Sequence, residues 1–268
     1  IDITQVMLPG SPDPYRIHVR SLIDEFRNLN SEIRLRHSPL NLHYQALNPL
    51  LDSFLATAAP SLKICGVTTP ADANQLAELG VHALGVNFWT ESKRYCPPDS
   101  ARQFLPSLKN RILRVGVFVN ADPGLPCNLL ADDLIDVVQL HGDEDLAYCQ
   151  AFAAKDLPFF KAIGVAKDSD LDLALQCPAS GILLDAHAPG VYGGTGQTID
   201  WKSVARFIDH QPSPPIILAG GITPQNAGEA LRVARVCALD VASGAESSPG
   251  IKDFEKVATL LSAVRSAP

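Results

Sequence analysis

The stretch SLKICGVTTPADA, residues 61–73, contains the signals of a strand, a turn and a helix start in thirteen positions. Its apolar part is followed by Thr69 and Pro70, and a threonine before a proline supplies a capping oxygen and a preset φ for the first helical turn. Gly80 comes after the periodic part of the segment, where a left-handed residue commonly ends a helix. The stretch therefore predicts one strand–turn–helix unit.

The same order of elements recurs to the end of the chain. Further apolar runs of the kind seen in strands buried on both faces lie at 83–88, 113–119, 137–141, 159–164, 181–186, 215–222 and 238–244. Segments with helical periodicity separate them; their apolar positions include Ala101, Phe104, Leu105 and Leu108, then Trp201, Val204, Ala205 and Ile208, then Val257, Leu260, Leu261 and Val264. A second capping pair stands at Thr223 and Pro224. Eight such units predict a (β/α)8 barrel over residues 61–268, with a doubly wound parallel sheet as the alternative.

Residues 1–60 lack this alternation of apolar runs and helical segments. Val19, Leu22, Ile23 and Phe26 share a helical stripe, and LNLHYQALNPLLDSFLATAA predicts a helix that is broken or kinked at Pro49. The segment is interpreted as a helical, partly ordered N-terminal extension; a partner-binding module and an upstream sequence that does not fold are the alternatives.

Composition narrows the class of protein. The 268 residues are 46% hydrophobic and 19% charged, with a net charge of −7. This balance disfavours binding to nucleic acid, which selects basic surfaces. The sequence has neither a run long enough to cross a membrane nor the features of a signal peptide, so we expect a cytoplasmic protein without membrane contact. The six cysteines form no C-x-x-C pair, so reduced thiols are expected and a zinc site is not.

In a β/α barrel the active site lies at the carboxyl ends of the strands. Glycine is concentrated after the last three predicted strands, where backbone N–H groups and helix N-termini can hold an anion. The predicted phosphate-binding residues are Gly194, Gly196, Gly220, Gly221, Ser243 and Gly244. Tight turns without a ligand are the alternative.

Two of the ionisable residues fall on the first strand. Lys63 and Cys65 are two apart, so their side chains share one face. A neighbouring ammonium lowers the pKa of a thiol, and the thiolate can act as a base or a nucleophile. A buried cysteine beside a structural lysine is the alternative.

Other candidate residues follow later strands. Asp185 ends the sixth run as a candidate acid, with an N-cap or a solvated loop residue as the alternative. Arg94, after the second run, has the fork that binds a carboxylate in a bidentate way, with a surface arginine as the alternative. His141 and Asp240 are either pocket residues or buried polar residues with partners. A thiol base and a carboxylic acid beside a phosphate site suit proton transfer on a sugar phosphate. No metal or redox cofactor is predicted, because neither H-E-x-x-H nor G-x-G-x-x-G after a strand occurs.

Seven segments then carry a family resemblance: LKICGVTTPADA, SKRY, VGVFVN, VVQLHGDE, LLDA…GGTGQTIDW, LAGGITPQN and DVASGAESSPGIKD. In this order and spacing the chain resembles the phosphoribosylanthranilate isomerases of tryptophan biosynthesis over residues 62–268. The resemblance implies an Amadori rearrangement of N-(5-phosphoribosyl)anthranilate by a monomer or homodimer without a cofactor.

The resemblance also implies roles for residues. Asp185 matches the general acid, Cys65 the general base, and Arg94 the arginine that holds the anthranilate carboxylate. His141 and Asp240 match polar residues of the pocket, and the glycine loops match the phosphate site. The sequence departs from the usual pattern at Lys93, where proline is common, and at Ala242 and Ala245, where serine and valine are more usual.

Two rival functions remain open at this level. A barrel that also isomerises the analogous intermediate of histidine biosynthesis usually carries aspartate where this chain has Cys65. A non-catalytic scaffold that recruits a partner through residues 1–60 is the other, although the intact candidate residues oppose it.

Overall fold

The structure, a computed structural model, describes residues 48–186, 199–210 and 214–267. Eight parallel strands close into a barrel in chain order, each hydrogen-bonded to the next and β1 to β8. The strands are β1 (Ser61–Cys65), β2 (Ala83–Asn87), β3 (Leu113–Phe118), β4 (Val137–Leu140), β5 (Phe159–Val165), β6 (Gly181–Ala186), β7 (Ile216–Leu218) and β8 (Ala238–Val241). The predicted barrel is confirmed, and closure excludes the doubly wound sheet.

Helices lie between the strands. They are α1 (Pro49–Leu55), α2 (Pro70–Leu79), α3 (Pro98–Ala101), α4 (Gly124–Ala131), α5 (Leu146–Ala153), α6 (Asp172–Gln176), α7 (Trp201–His210), α8 (Ala227–Ala234) and α9 (Phe254–Arg265). Short 3-10 turns span Leu105–Leu108, Asp168–Leu171 and Ser243–Ala245, and a two-stranded hairpin, β9 (Glu246–Ser248) and β10 (Ile251–Lys252), follows β8. Among the described residues, none of these helices has the length and apolarity to cross a membrane.

The capping signals at Thr69, Pro70 and Gly80 act as predicted in α2. The Thr69 hydroxyl accepts from the Asp72 N–H at 3.1 Å, and Gly80 ends the helix with φ of 78°. Thr223 and Pro224, in contrast, do not begin a helix: α8 starts only at Ala227. The Asn226 side chain bonds back to the Thr223 N–H and the Gly221 carbonyl, so the segment between them forms a turn.

The periodic segment after β2 also differs from one regular helix. Ala101, Phe104, Leu105 and Leu108 are buried as the pattern predicts, but they lie on α3 and a following 3-10 turn. Pro106 explains the break, because proline lacks an N–H and its ring clashes with the carbonyl four residues earlier. The segments 201–208 and 257–264 lie on α7 and α9, whereas the stripe from Val19 to Phe26 lies outside the described residues.

The helix α1 closes the amino-terminal end of the barrel. It begins at Pro49 instead of being kinked there, with the Asn48 side chain accepting from the Leu50 and Leu51 N–H groups. Phe54 is 1% exposed, and its ring lies 5.9 Å from that of Phe160. The core around Phe54 includes the first residues of four strands: Ala83, Leu113, Val137 and Ala238. This apolar plug, formed by α1 and the strand residues that it contacts, therefore fills the amino-terminal end of the barrel. A polar site is left to the carboxyl-terminal end.

We predict that Phe54→Ala lowers the free energy of unfolding by about 3–5 kcal/mol, the usual cost of a buried phenylalanine cavity. Urea unfolding measures it, with Leu173→Ala on the exposed surface as the control. By the same reasoning a chain of residues 48–268 should be more stable than one of residues 61–268. Equal unfolding midpoints for Phe54→Ala and the parent protein would contradict the plug.

Candidate active site

A cavity opens at the carboxyl end of the barrel and encloses about 710 Å³, part of it open to solvent. It brings together most of the predicted site residues. Those that line it are Cys65, Arg94, His141, Asp185, Gly220, Gly221, Asp240 and Ser243. Cys65 and Asp185 come from β1 and β6, which are separated by β7 and β8 on the shorter path around the barrel. The thiol and the carboxyl therefore face one space from different sides.

Lys63 lies inside the barrel, one layer below Cys65. Its side chain is 0% exposed, and its Nζ donates to Asp240 Oδ1 at 2.8 Å. Burial alone lowers the pKa of Lys63, but the negative charges of Asp240 and Cys65 more than offset it, so the pKa lies above its ordinary value. Lys63 therefore keeps its positive charge inside the barrel, paired with a carboxylate that faces the cavity.

The sequence predicted that Lys63 biases the Cys65 thiol toward the thiolate. Its charge acts in that direction, and Lys252 acts with it. Burial has the larger effect, so the pKa of the Cys65 thiol is raised. The bias from the lysines opposes the effect of burial on this pKa without reversing it.

We predict that Lys63→Met moves the acidic limb of the kcat/KM profile to higher pH. That limb reports protonation of a base, and loss of the ammonium raises the pKa of the thiol further. The double variant Lys63→Met with Asp240→Asn should shift less, because it also removes a carboxylate that raises the same pKa. A limb that stays in place in Lys63→Met would dismiss the role of this lysine.

Asp185 is held by two neighbours. Its Oδ1 accepts from the Ala186 N–H at 2.8 Å, and its Oδ2 lies 3.4 Å from His141 Nε2. The other ring nitrogen of His141 lies 2.8 Å from Gln139 Nε2. When that amide donates, the neutral imidazole carries its proton on Nε2, toward Asp185. Gln139, His141 and Asp185 thus form one polar path from the barrel interior to the cavity.

Arg94 lies on the cavity wall with one edge of its guanidinium already occupied. Nε donates to Glu246 Oε1 at 2.9 Å, and Nη2 donates to Glu246 Oε2 at 2.7 Å. The fork can therefore offer a ligand only its other edge, formed by Nη1 and the second proton of Nη2.

Glycine turns after β7 and β8 form another part of the cavity wall. Gly220 and Gly221 have φ of 79° and 61°, values that favour glycine, and they end β7 at the cavity. A Cβ on Gly244 would lie 2.0 Å from the Ile222 carbonyl oxygen, so the turns after β7 and β8 pack closely there. Ser243 lines the cavity beside them. Gly194 and Gly196, predicted in the same site, lie outside the described residues.

Three residues that contact the predicted site were not predicted from the sequence. Gln139 is two positions before His141 on β4, so the alternation of strand side chains places both on the inner face. Glu246 and Lys252 lie on the hairpin after β8. The rule that site residues lie at the carboxyl ends of strands selects only Ser243 and Gly244 from this part of the sequence.

Comparison with known proteins gives one consistent family. Residues 62–263 match the family model described as N-(5'phosphoribosyl)anthranilate (PRA) isomerase. An N-(5'-phosphoribosyl)anthranilate isomerase of Cellvibrio japonicus is 40% identical over 198 residues, covering 73% of this chain and 89% of the relative. One of Neisseria gonorrhoeae is 41% identical over 201 residues, covering 74% and 93%.

Solved structures agree with the sequence relatives. The crystal structure of phosphoribosyl anthranilate isomerase from Thermotoga maritima matches with a TM-score of 0.69 and 34% identity, covering 77% of this chain and 98% of the other. A phosphoribosyl anthranilate isomerase in complex with reduced 1-(o-carboxyphenylamino)-1-deoxyribulose 5-phosphate matches with a TM-score of 0.68 and 33% identity, covering 77% and 98%.

Proposed function

Because this chain belongs to the N-(5'-phosphoribosyl)anthranilate isomerase family and is an isomerase, we propose that it rearranges N-(5-phosphoribosyl)anthranilate to 1-(2-carboxyphenylamino)-1-deoxyribulose 5-phosphate in tryptophan biosynthesis. The observation that carries the proposal is the shared cavity, which Cys65 and Asp185 line together with Arg94 and glycine-rich turns. An acid, a base and two anion sites are what this substrate requires.

Asp185 is the general acid in this proposal. It donates a proton to the ring oxygen of the ribose, the bond from that oxygen to C1′ breaks, and the nitrogen lone pair forms an iminium at C1′. Cys65 then removes the proton from C2′ as the general base, which gives an enolamine. Transfer of the hydroxyl proton at C2′ to C1′, through solvent, yields the ketone. The product has the same atoms and oxidation level overall as the substrate, so no redox partner enters the balance.

The electrostatics of the site favour this order of steps. Burial raises the pKa of the Cys65 thiol. An iminium formed beside the thiol adds a positive charge that favours the thiolate. Ring opening at Asp185 therefore prepares the base for its own step.

The two anionic groups of the substrate have separate sites in this proposal. The phosphate lies on the turns at Gly220–Gly221 and Ser243–Gly244, with Gly194 and Gly196 contributing from the loop after β6. The carboxylate meets the free edge of Arg94, and His141 and Asp240 line the space between. The ligand of the relative in complex carries the same two groups, a phosphate and an aromatic carboxylate.

The direct test follows the fluorescence of N-(5-phosphoribosyl)anthranilate, which is lost on rearrangement. We expect first-order loss with a rate proportional to the concentration of the protein, and no reaction with the analogous intermediate of histidine biosynthesis. No turnover at micromolar protein would reject the assignment, and turnover of the histidine intermediate would establish the dual-specificity rival. The same preparations give the oligomeric state, which we propose to be a monomer or a homodimer like the dimeric relative from Thermotoga maritima.

A further inference from the structure

A buried ionic cluster adjoins the cavity and links three segments of the chain. Glu246 lies between two cations: its Oε2 accepts from Arg94 Nη2 and its Oε1 from Lys252 Nζ, both at 2.7 Å. The side chains of Glu246 and Lys252 are 3% and 0% exposed. We propose that Glu246 is a positioning residue that aims the free edge of Arg94 at the substrate carboxylate; this role rests on the proposed function.

Arg94 is fixed at both ends of its side chain. Glu246 binds the edge formed by Nε and Nη2, and within residues 48–186, 199–210 and 214–267 no hydrogen bond uses Nη1. The aliphatic stem lies on Gly66, where an added Cβ would be 2.2 Å from Arg94 Cδ. A guanidinium held this way presents its remaining edge in one orientation, so little rotamer freedom is lost when a carboxylate binds.

The cluster also holds the residue proposed as the base. Lys252 Nζ donates to the Cys65 carbonyl at 2.6 Å in addition to Glu246. The Gly250 N–H donates to Glu246 Oε1 at 3.1 Å, and the Thr68 hydroxyl donates to the Gly250 carbonyl at 3.0 Å. The hairpin after β8 is thus tied to the end of β1 as well as to the loop after β2.

Charge neutralisation is a simpler role for Glu246, and it predicts the opposite effect on ligand binding from positioning. Burial alone would raise the pKa of Glu246, but Arg94 and Lys252 more than offset it, so the carboxylate stays ionised. The cluster of two cations and one anion has a net charge of about +1 by count of ionised groups. If Glu246 acted only by neutralising charge, its removal would strengthen binding of an anionic ligand. If it positions Arg94, its removal weakens that binding.

The experiment separates charge neutralisation from positioning by holding the net charge of the cluster constant. The double variant Glu246→Gln with Lys252→Met keeps the net charge of the cluster but frees the guanidinium. Two ligands are made by reductive amination of ribose 5-phosphate, one with anthranilate and one with aniline, so that they differ only in the carboxylate. Calorimetry measures the Kd of each. We expect the Kd of the carboxylated ligand to rise about tenfold in the double variant and that of the other to change less than about twofold.

Controls distinguish this role from folding and from the proposed function. Glu255→Gln, on an exposed part of α9, should leave both affinities unchanged. Glu246→Asp keeps the charge but shortens the reach, so intermediate weakening is expected even if the double variant does not fold. An active wild-type protein whose preference for the carboxylated ligand survives in the variants would overturn the positioning role alone. Equal weakening of both ligands would overturn it too. Wild-type protein that neither turns over substrate nor prefers the carboxylated ligand would overturn the proposed function as well.

Discussion

Replacing Asp185 with asparagine is expected to lower kcat by a factor of about 10²–10⁴, the usual contribution of a general acid. Asparagine keeps the shape of the side chain and can still accept from the Ala186 N–H, which holds Oδ1 at 2.8 Å. It has no proton to give to the ribose ring oxygen, so ring opening loses its acid while the fold is kept. The fluorescence assay at saturating substrate measures kcat, and urea unfolding checks the stability.

The control is Asp99→Asn, which makes the same chemical change on an exposed residue of α3. Its kcat should equal that of the parent protein. The Kd of the carboxylated ligand, made from ribose 5-phosphate and anthranilate, should change little in Asp185→Asn. In the proposal Asp185 binds neither the phosphate nor the carboxylate. A kcat within a factor of about three of the parent would remove Asp185 from the acid role.

The fold was accessible from the sequence because its signals are local. A capping hydroxyl before a proline and a glycine beyond the helix define α2, and the apolar runs match strands whose side chains are buried on both faces. The same kind of signal predicted the wrong helix start at Thr223. There Asn226, three residues later, satisfies the backbone of the turn, and nothing in a Thr-Pro pair reports a competing side chain downstream.

The location of the site was accessible for a similar reason. In a parallel barrel all strand ends meet at one rim, so a rule about sequence position places Cys65 and Asp185 on one cavity. The electrostatics were not accessible. Whether Lys63 or burial dominates the pKa of Cys65 depends on how much of the barrel surrounds the thiol, and that is a tertiary quantity.

The support of Arg94 was hidden for the same reason. Its contact with Glu246 joins residues 152 positions apart, on the loop after β2 and the hairpin after β8. In the sequence Glu246 and Arg94 are two distant charged residues, and each could equally lie on the surface. Only the closed barrel shows that β1 lies between β2 and β8 and brings those loops together.

The second large effect is expected at Cys65. Cys65→Ala should lower kcat by about 10²–10⁴-fold, because nothing then takes the proton from C2′. The fall alone cannot separate a base from a packed thiol, so the informative pair is Cys65→Asp and Cys65→Asn, which have nearly the same shape. Aspartate supplies a base and asparagine does not. We expect Cys65→Asp to recover part of the lost kcat and Cys65→Asn to stay near the alanine variant.

The pH dependence of kcat/KM gives an independent test of the role of Cys65. The ordinary pKa of aspartate is about 3.9 and that of cysteine about 8.5, and burial raises both, so the acidic limb of kcat/KM should move to lower pH in Cys65→Asp. Cys127→Ala, a buried thiol on α4, controls for loss of a cysteine elsewhere and should leave the profile unchanged. Equal rates for the aspartate and asparagine variants would show that position 65 contributes shape alone. Recovery in aspartate with a displaced limb would assign the proton abstraction to this position, because the limb then follows the pKa of the side chain placed there.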